Sequence, residues 1–201
     1  MSWIRTIPYK DADPTLKKIY DRVRGPDDTI DNILMLHSLR PHTLTGHMGL
    51  YKNVLHNSKN VLPMWLVETI GVYVSMLNRC QYCVDHHFAG LVRLLDDDAR
   101  AACIRQALEN ETFVEAFNEQ EQLMLGYARQ LTLEPWTLTE NSLRRLRDAG
   151  IDDGMQLELN QIAAYFAYAN RTVLGLGGSL DGDVLGLSPN ASDDSENWSH
   201  Q

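Results

Sequence analysis

The chain has 201 residues, 44% of them hydrophobic, and a formal charge of −9 at pH 7. That length suits a single domain, 1–201, with one sizeable core. The acidic balance, with no basic stripe, argues against a nucleic-acid or membrane-surface partner. Met1-Ser2-Trp3-Ile4-Arg5 is followed by polar sequence rather than an apolar h-region, so no export signal is read and a cytoplasmic location is expected.

The segment through Lys10 is irregular, with Pro8 discouraging regular structure. Asp13-Pro14 predicts a helix start, aspartate as N-cap and proline at N1, for an amphipathic helix that stops at Gly25-Pro26. Asp31 to His37 reads as a short apolar helix, and Pro41 opens a longer one carrying Leu44, Met48, Tyr51, Val54 and Leu55. Pro63 marks the first turn of the next, where Leu66, Ile70, Val74 and Leu77 form a stripe and Trp65, Val72 and Met76 add apolar surface elsewhere. A helix apolar nearly all round is central to a core. Glu68 is its only charge between Val61 and Asn78. A lone buried carboxylate must find partners or shift its pKa upward.

Asn78-Arg79 breaks that helix, and another is expected over Gln81 to Leu95. Asp96–Asp98 starts a further helix through Ala107, its acidic run read as N-terminal charge rather than a metal site. Phe113–Phe117 is a turn or short helix. Asn118 with Glu121 has capping-box spacing and opens a helix through Leu131. Thr139 starts another, with Leu143 and Leu146 inward and Gly150 at its C-cap. The last helix runs from about Asp153 to Leu174, carrying Leu157, Ile162, Ala163, Phe166, Tyr168 and Leu174. Gly175-Leu176-Gly177-Gly178 has no preceding strand, so it reads as a terminator rather than a dinucleotide loop. A polar tail follows over about 188–201, with Trp198 its one large apolar residue. No segment alternates with period two, and the predicted fold is all-α.

Three cysteines in a chain without an export signal do not suggest a disulfide framework. Cys103 reads as a small buried hydrophobe. The chemistry concentrates at Cys80-Gln81-Tyr82-Cys83-Val84-Asp85-His86-His87. With a helix starting near Gln81, Cys80 lies at the cap and Cys83 in the first turn, where the helix dipole lowers thiol pKa values. His87 follows Cys83 by one helical turn, as in Cys–His nucleophilic catalysis. Glu68 can hold that imidazole or act through water as base. Cys80 is close enough to capture an oxidised Cys83, which suits a peroxidatic cycle through sulfenic acid. His86 points about 100° from His87 and is as compatible with a surface or subunit contact as with catalysis. His37, His42, His47 and His56 show no ligand spacing among themselves. Cys80, Cys83 and His87, with a fourth ligand from Glu68, His86 or Cys103, leave a zinc site as an alternative. A haem site needs histidine where Val84 stands.

The pattern Glu68, eleven residues, Cys80-x-x-Cys83, three residues, His87 resembles the AhpD-like alkylhydroperoxidase / carboxymuconolactone decarboxylase superfamily. Cys80-Gln81-Tyr82-Cys83-x-x-His86-His87, with the later Asn170-Arg171 and Leu176-Gly177, resembles its peroxidase-related branch. The core motif covers about residues 40–110. The resemblance implies an AhpD-like helical fold, a homo-oligomer (dimer, trimer or hexamer), and a thiol peroxidase without haem or metal, its only cofactor a redox-active Cys80–Cys83 disulfide. It implies Cys83 as peroxidatic and Cys80 as resolving cysteine, with Glu68 and His87 as proton relay. A small-molecule peroxide would be the substrate and a dithiol protein the reductant. Tyr82 stands where well-studied members carry a second histidine, and it is kept with His86 as a secondary site residue. A lactone decarboxylase using Glu68 and His87, or a zinc-binding scaffold, are the alternatives.

Overall fold

Side-chain oxygens of Asp13, Asp97, Asn118 and Asp152 each accept a hydrogen bond from the backbone N–H three residues on, at 2.8–3.0 Å. Each satisfies a donor that a helix start leaves unpaired. In the computed structural model, which describes residues 2–25 and 28–188, these caps and the prolines at 14, 41 and 63 delimit nine α-helices among the described residues. They are α1 (Pro14–Val23), α2 (Asn32–Met35), α3 (Pro41–Leu55), α4 (Met64–Leu77), α5 (Gln81–Leu95), α6 (Asp98–Asn110), α7 (Glu119–Leu133), α8 (Glu140–Asp148) and α9 (Asp153–Leu176). No strand occurs among the described residues. The fold is all-α, and no described helix is long and apolar enough to cross a membrane. The expectation of a polar tail beyond residue 188 lies outside the described residues.

Helix α4 is the axis of the bundle. Every residue from Leu66 to Ser75 is buried, Glu68 included, and α4 packs on α5, α7 and α9. Helix α3 covers α9, α1 covers α3, α6 covers α5, and α8 covers α7 and α9. Close approach of α4 and α9 depends on Gly71. A Cβ there would lie 2.2 Å from Cζ of Phe166, so only the missing side chain lets that ring seat against α4.

Several boundaries differ from the sequence reading. Pro63 is the N-cap of α4 rather than part of its first turn. Helix α6 runs to Asn110, and α9 continues to Leu176 before Gly177 ends it at φ +69°. That left-handed C-cap is a conformation glycine adopts without steric cost. Leu157, Tyr168 and Leu174 of α9 are exposed. Cys103 is exposed too, contrary to expectation. Helix α6 turns Ala101, Ile104, Ala107 and Leu108 inward, and Cys103 sits about 100° from Ile104 around the axis.

Candidate active site

The connection between α4 and α5 is three residues, Asn78, Arg79 and Cys80, with Arg79 left-handed at φ +58° and the Cys80 N–H donating to Ser75 O at 2.9 Å. So tight a link folds α5 back along α4 as a helical hairpin. It thereby brings His87 onto Glu68, 19 positions earlier. His87 Nδ1 meets Glu68 Oε2 at 2.6 Å. The buried carboxylate has found its partner, and because a carboxylate only accepts, Nδ1–H is the donor in this contact. Phe166 packs edge-on against the same imidazole, centroids 4.6 Å apart. Gly90, on α5, leaves room beside the Glu68 carboxylate, which a Cβ would meet only at 3.6 Å.

Cys80 is the N-cap of α5 and Cys83 lies in its first turn, as the spacing required. Both are buried, free thiols with sulfurs 3.4 Å apart. Either can hold the shared proton. A hydrogen bond from Cys83 brings the Cys80 thiol from 9.0 to about 7 against the opposing effect of burial, with smaller help from the Asn170 amide and His87. The same bond, with burial, pushes the Cys83 thiol up. The pair therefore loses one proton near neutrality and the second with difficulty, and the two values belong to the pair rather than to either sulfur. Asn170 is buried on α9, donates to Ser75 Oγ at 3.0 Å and accepts from Asn78 at 2.9 Å. Its amide is thus fixed beside both sulfurs. The sequence offered Asn170 only as part of a family pattern. Cys83 and His87 share a face of α5, but no hydrogen bond joins them among the described residues.

A cavity of about 50 Å³ lies between these groups, lined by Cys83, Glu68, His87, His86, Tyr82 and Asp31, with Tyr51, Tyr165 and Leu187 among its other walls. Cys83 faces it, whereas Cys80, 0% exposed, lies behind. His86 is not a surface residue: its side chain is 13% exposed, and its Nε2 meets Asp183 Oδ2 at 3.2 Å. The Tyr82 hydroxyl donates to that oxygen at 2.6 Å and accepts from the Ile33 N–H at 3.1 Å. Tyr82 thus anchors the wall of the cavity and does not reach the Glu68–His87 pair. Asp31, predicted only as a helix start, accepts from Leu34 and Met35 through its backbone carbonyl, while its carboxylate caps nothing and has no hydrogen-bond partner among the described residues. Burial raises its carboxyl to about 6, with His86 and His87 opposing and Asp183 adding. His47 lines the cavity as well, in an aromatic group with His37, Tyr51 and Tyr165. That grouping was invisible in the sequence spacings. Among the described residues, no cluster of three or more His, Cys, Asp or Glu side chains could hold a metal ion.

Solved structures share this architecture. A peroxidase-related protein from Ralstonia eutropha JMP134, described as an alkylhydroperoxidase AhpD core, superposes with a TM-score of 0.74 at 18% identity, over 89% of this chain and 91% of that one. The fold is AhpD-like. A peroxidase-related protein from Silicibacter sp. TM1040 gives a TM-score of 0.72 at 19% identity, over 89% of this chain and 91% of the other. A cysteine-to-alanine variant of the debrominase Bmp8, in complex with 2,3,4-tribromopyrrole, gives 0.70 at 16% identity, over 90% and 95%. No family profile and no curated protein matches the sequence itself. At these identities the AhpD-like likeness is one of fold.

Proposed function

We propose that the protein is a thiol peroxidase reducing hydrogen peroxide or alkyl hydroperoxides. The observation that carries this reading is the arrangement of the two sulfurs: Cys83 faces a small polar cavity and Cys80 waits 3.4 Å behind it. The first proton lost by the pair leaves a charge that either sulfur can carry, and access to substrate decides for Cys83. Its thiolate attacks the distal peroxide oxygen. An S–O bond forms as O–O breaks, and the departing alkoxide or hydroxide takes a proton and leaves as alcohol or water. Cys80 then attacks the Cys83 sulfenic acid, S–S forms as S–O breaks, and water leaves. A dithiol reductant of the cell returns both thiols. The Glu68–His87 pair beside Cys83 would relay the protons.

In the presence of a dithiol reductant, Cys83→Ser should abolish peroxide consumption; turnover like that of wild type would refute the assignment. One equivalent of peroxide should remove two thiols and yield a Cys80–Cys83 disulfide. The likeness to the debrominase Bmp8 supports a second reading, in which the thiol pair debrominates a bromopyrrole, C–Br giving way to C–H and bromide leaving as the two thiols become the disulfide. Disulfide formed with 2,3,4-tribromopyrrole but not with peroxide would favour it. Decarboxylation of a lactone retained in a Cys80/Cys83 double variant would favour acid–base work by Glu68 and His87 instead. About one zinc per purified chain would favour a scaffold. A homo-oligomer is proposed on the exposed Leu157 and Tyr168 of α9, and a cytoplasmic location on the free thiols, which need a reducing compartment.

A further inference from the structure

The chain after α9 does not leave the molecule. Residues 179–188 lie against α2 and α5, reach the thiol cavity at Leu187, and are held at three points. Asp183 accepts from the Asn32 N–H at 2.9 Å, the Asn32 amide at 2.8 Å and the Tyr82 hydroxyl at 2.6 Å, with His86 3.2 Å away. The Asn32 amide also donates to the carbonyls of Ser179 and Asp181, at 2.8 and 3.0 Å. Arg93 donates to Gly186 O at 2.7 Å. Gly186, at φ +76°, lies so close to α5 that a Cβ would stand 2.8 Å from the Ala89 carbonyl carbon. This contact sets Leu187 against the cavity as one of its walls.

We propose that this strap, through Leu187, sets the substrate class: the site takes hydrogen peroxide and short alkyl hydroperoxides, and excludes bulky aryl ones. The cavity of about 50 Å³ has room for a few water-sized groups and is well below the roughly 150 Å³ of an apolar cavity that admits benzene. The Asp183 carboxylate, its side chain 2% exposed and its oxygens on several donors, keeps the strap seated. The proposal deepens the peroxidase reading and rests on it for the identity of the substrate, while the size limit is a property of the cavity alone.

Two measurements separate them. With dithiothreitol as reductant, wild type should show a kcat/KM for hydrogen peroxide at least about tenfold above that for cumene hydroperoxide, and Leu187→Ala should shift the ratio about tenfold toward cumene hydroperoxide. Asp183→Ala, which unseats the strap, should shift it the same way. In a Cys80→Ser/Cys103→Ser background, which removes the resolving and the exposed thiols, labelling of Cys83 is followed by mass spectrometry. Methyl methanethiosulfonate should outpace benzyl methanethiosulfonate by about tenfold, and Leu187→Ala should bring the rates together. Peroxide turnover without size preference, or equal labelling rates in wild type, overturns the strap and leaves the peroxidase reading standing. Size-selective labelling without peroxide turnover removes the peroxidase reading and leaves the strap.

Discussion

Asp31 is a carboxyl that the fold buries beside the cavity without giving it a hydrogen-bond donor among the described residues. Its pKa rises from 3.8 to about 6, by burial first, with Asp183 adding and His86 and His87 opposing. A raised folded-state value means that the native state binds the proton more tightly than the unfolded chain. Asp31 therefore costs nothing below about pH 3.8, and its cost grows as pH rises to about 6, above which it is constant. At about 1.4 kcal/mol for each tenfold gain in proton affinity, the plateau is ~3 kcal/mol. Asp31→Asn keeps the shape and removes the charge. Relative to wild type it should gain about 2 kcal/mol between about pH 4.5 and about pH 8, read from urea unfolding midpoints with unchanged slopes. A stability difference that does not vary with pH would refute the reasoning, because packing effects carry no proton linkage.

Two further outcomes follow from the geometry. Peroxide consumption should rise with pH through about 7, following the first ionisation of the Cys80–Cys83 pair, and Asn170→Ala should move that limb upward by removing an amide that favours the anion; an unmoved limb would deny Asn170 its place beside the sulfurs. Gly71→Ala forces a methyl into the Phe166 ring and should cost about 1–3 kcal/mol while lowering activity through His87. Gly126→Ala on α7, where a Cβ meets nothing within 4 Å, should instead gain up to about 1 kcal/mol. Equal unfolding midpoints for these two variants would sink the argument.

Local rules were enough for the helices. Caps and prolines act over three or four residues, so Asp13, Asn118 and the break at Asn78-Arg79 stand where the sequence put them, and α5 spans Gln81–Leu95 as expected. The uninterrupted apolar run around Glu68 identified the central helix for the same reason: a helix with no polar face has nowhere to go but the core. Cys103 went the other way, since its short, small-residue stretch does not reveal which face of α6 is inward.

At the site, spacing alone placed the thiol pair at a helix start, the carboxylate on the buried helix and the imidazole one turn beyond Cys83, because each depends on order within one hairpin. The packed fold supplied the rest. It put Cys83 at the cavity and Cys80 behind it, tied His87 to Glu68, and added Asn170, Asp31, Asp183 and Leu187, which come from segments far off in the chain. Their roles arise from burial and from contacts between distant segments, and no local pattern encodes a pKa raised by burial or a strap seated by one carboxylate.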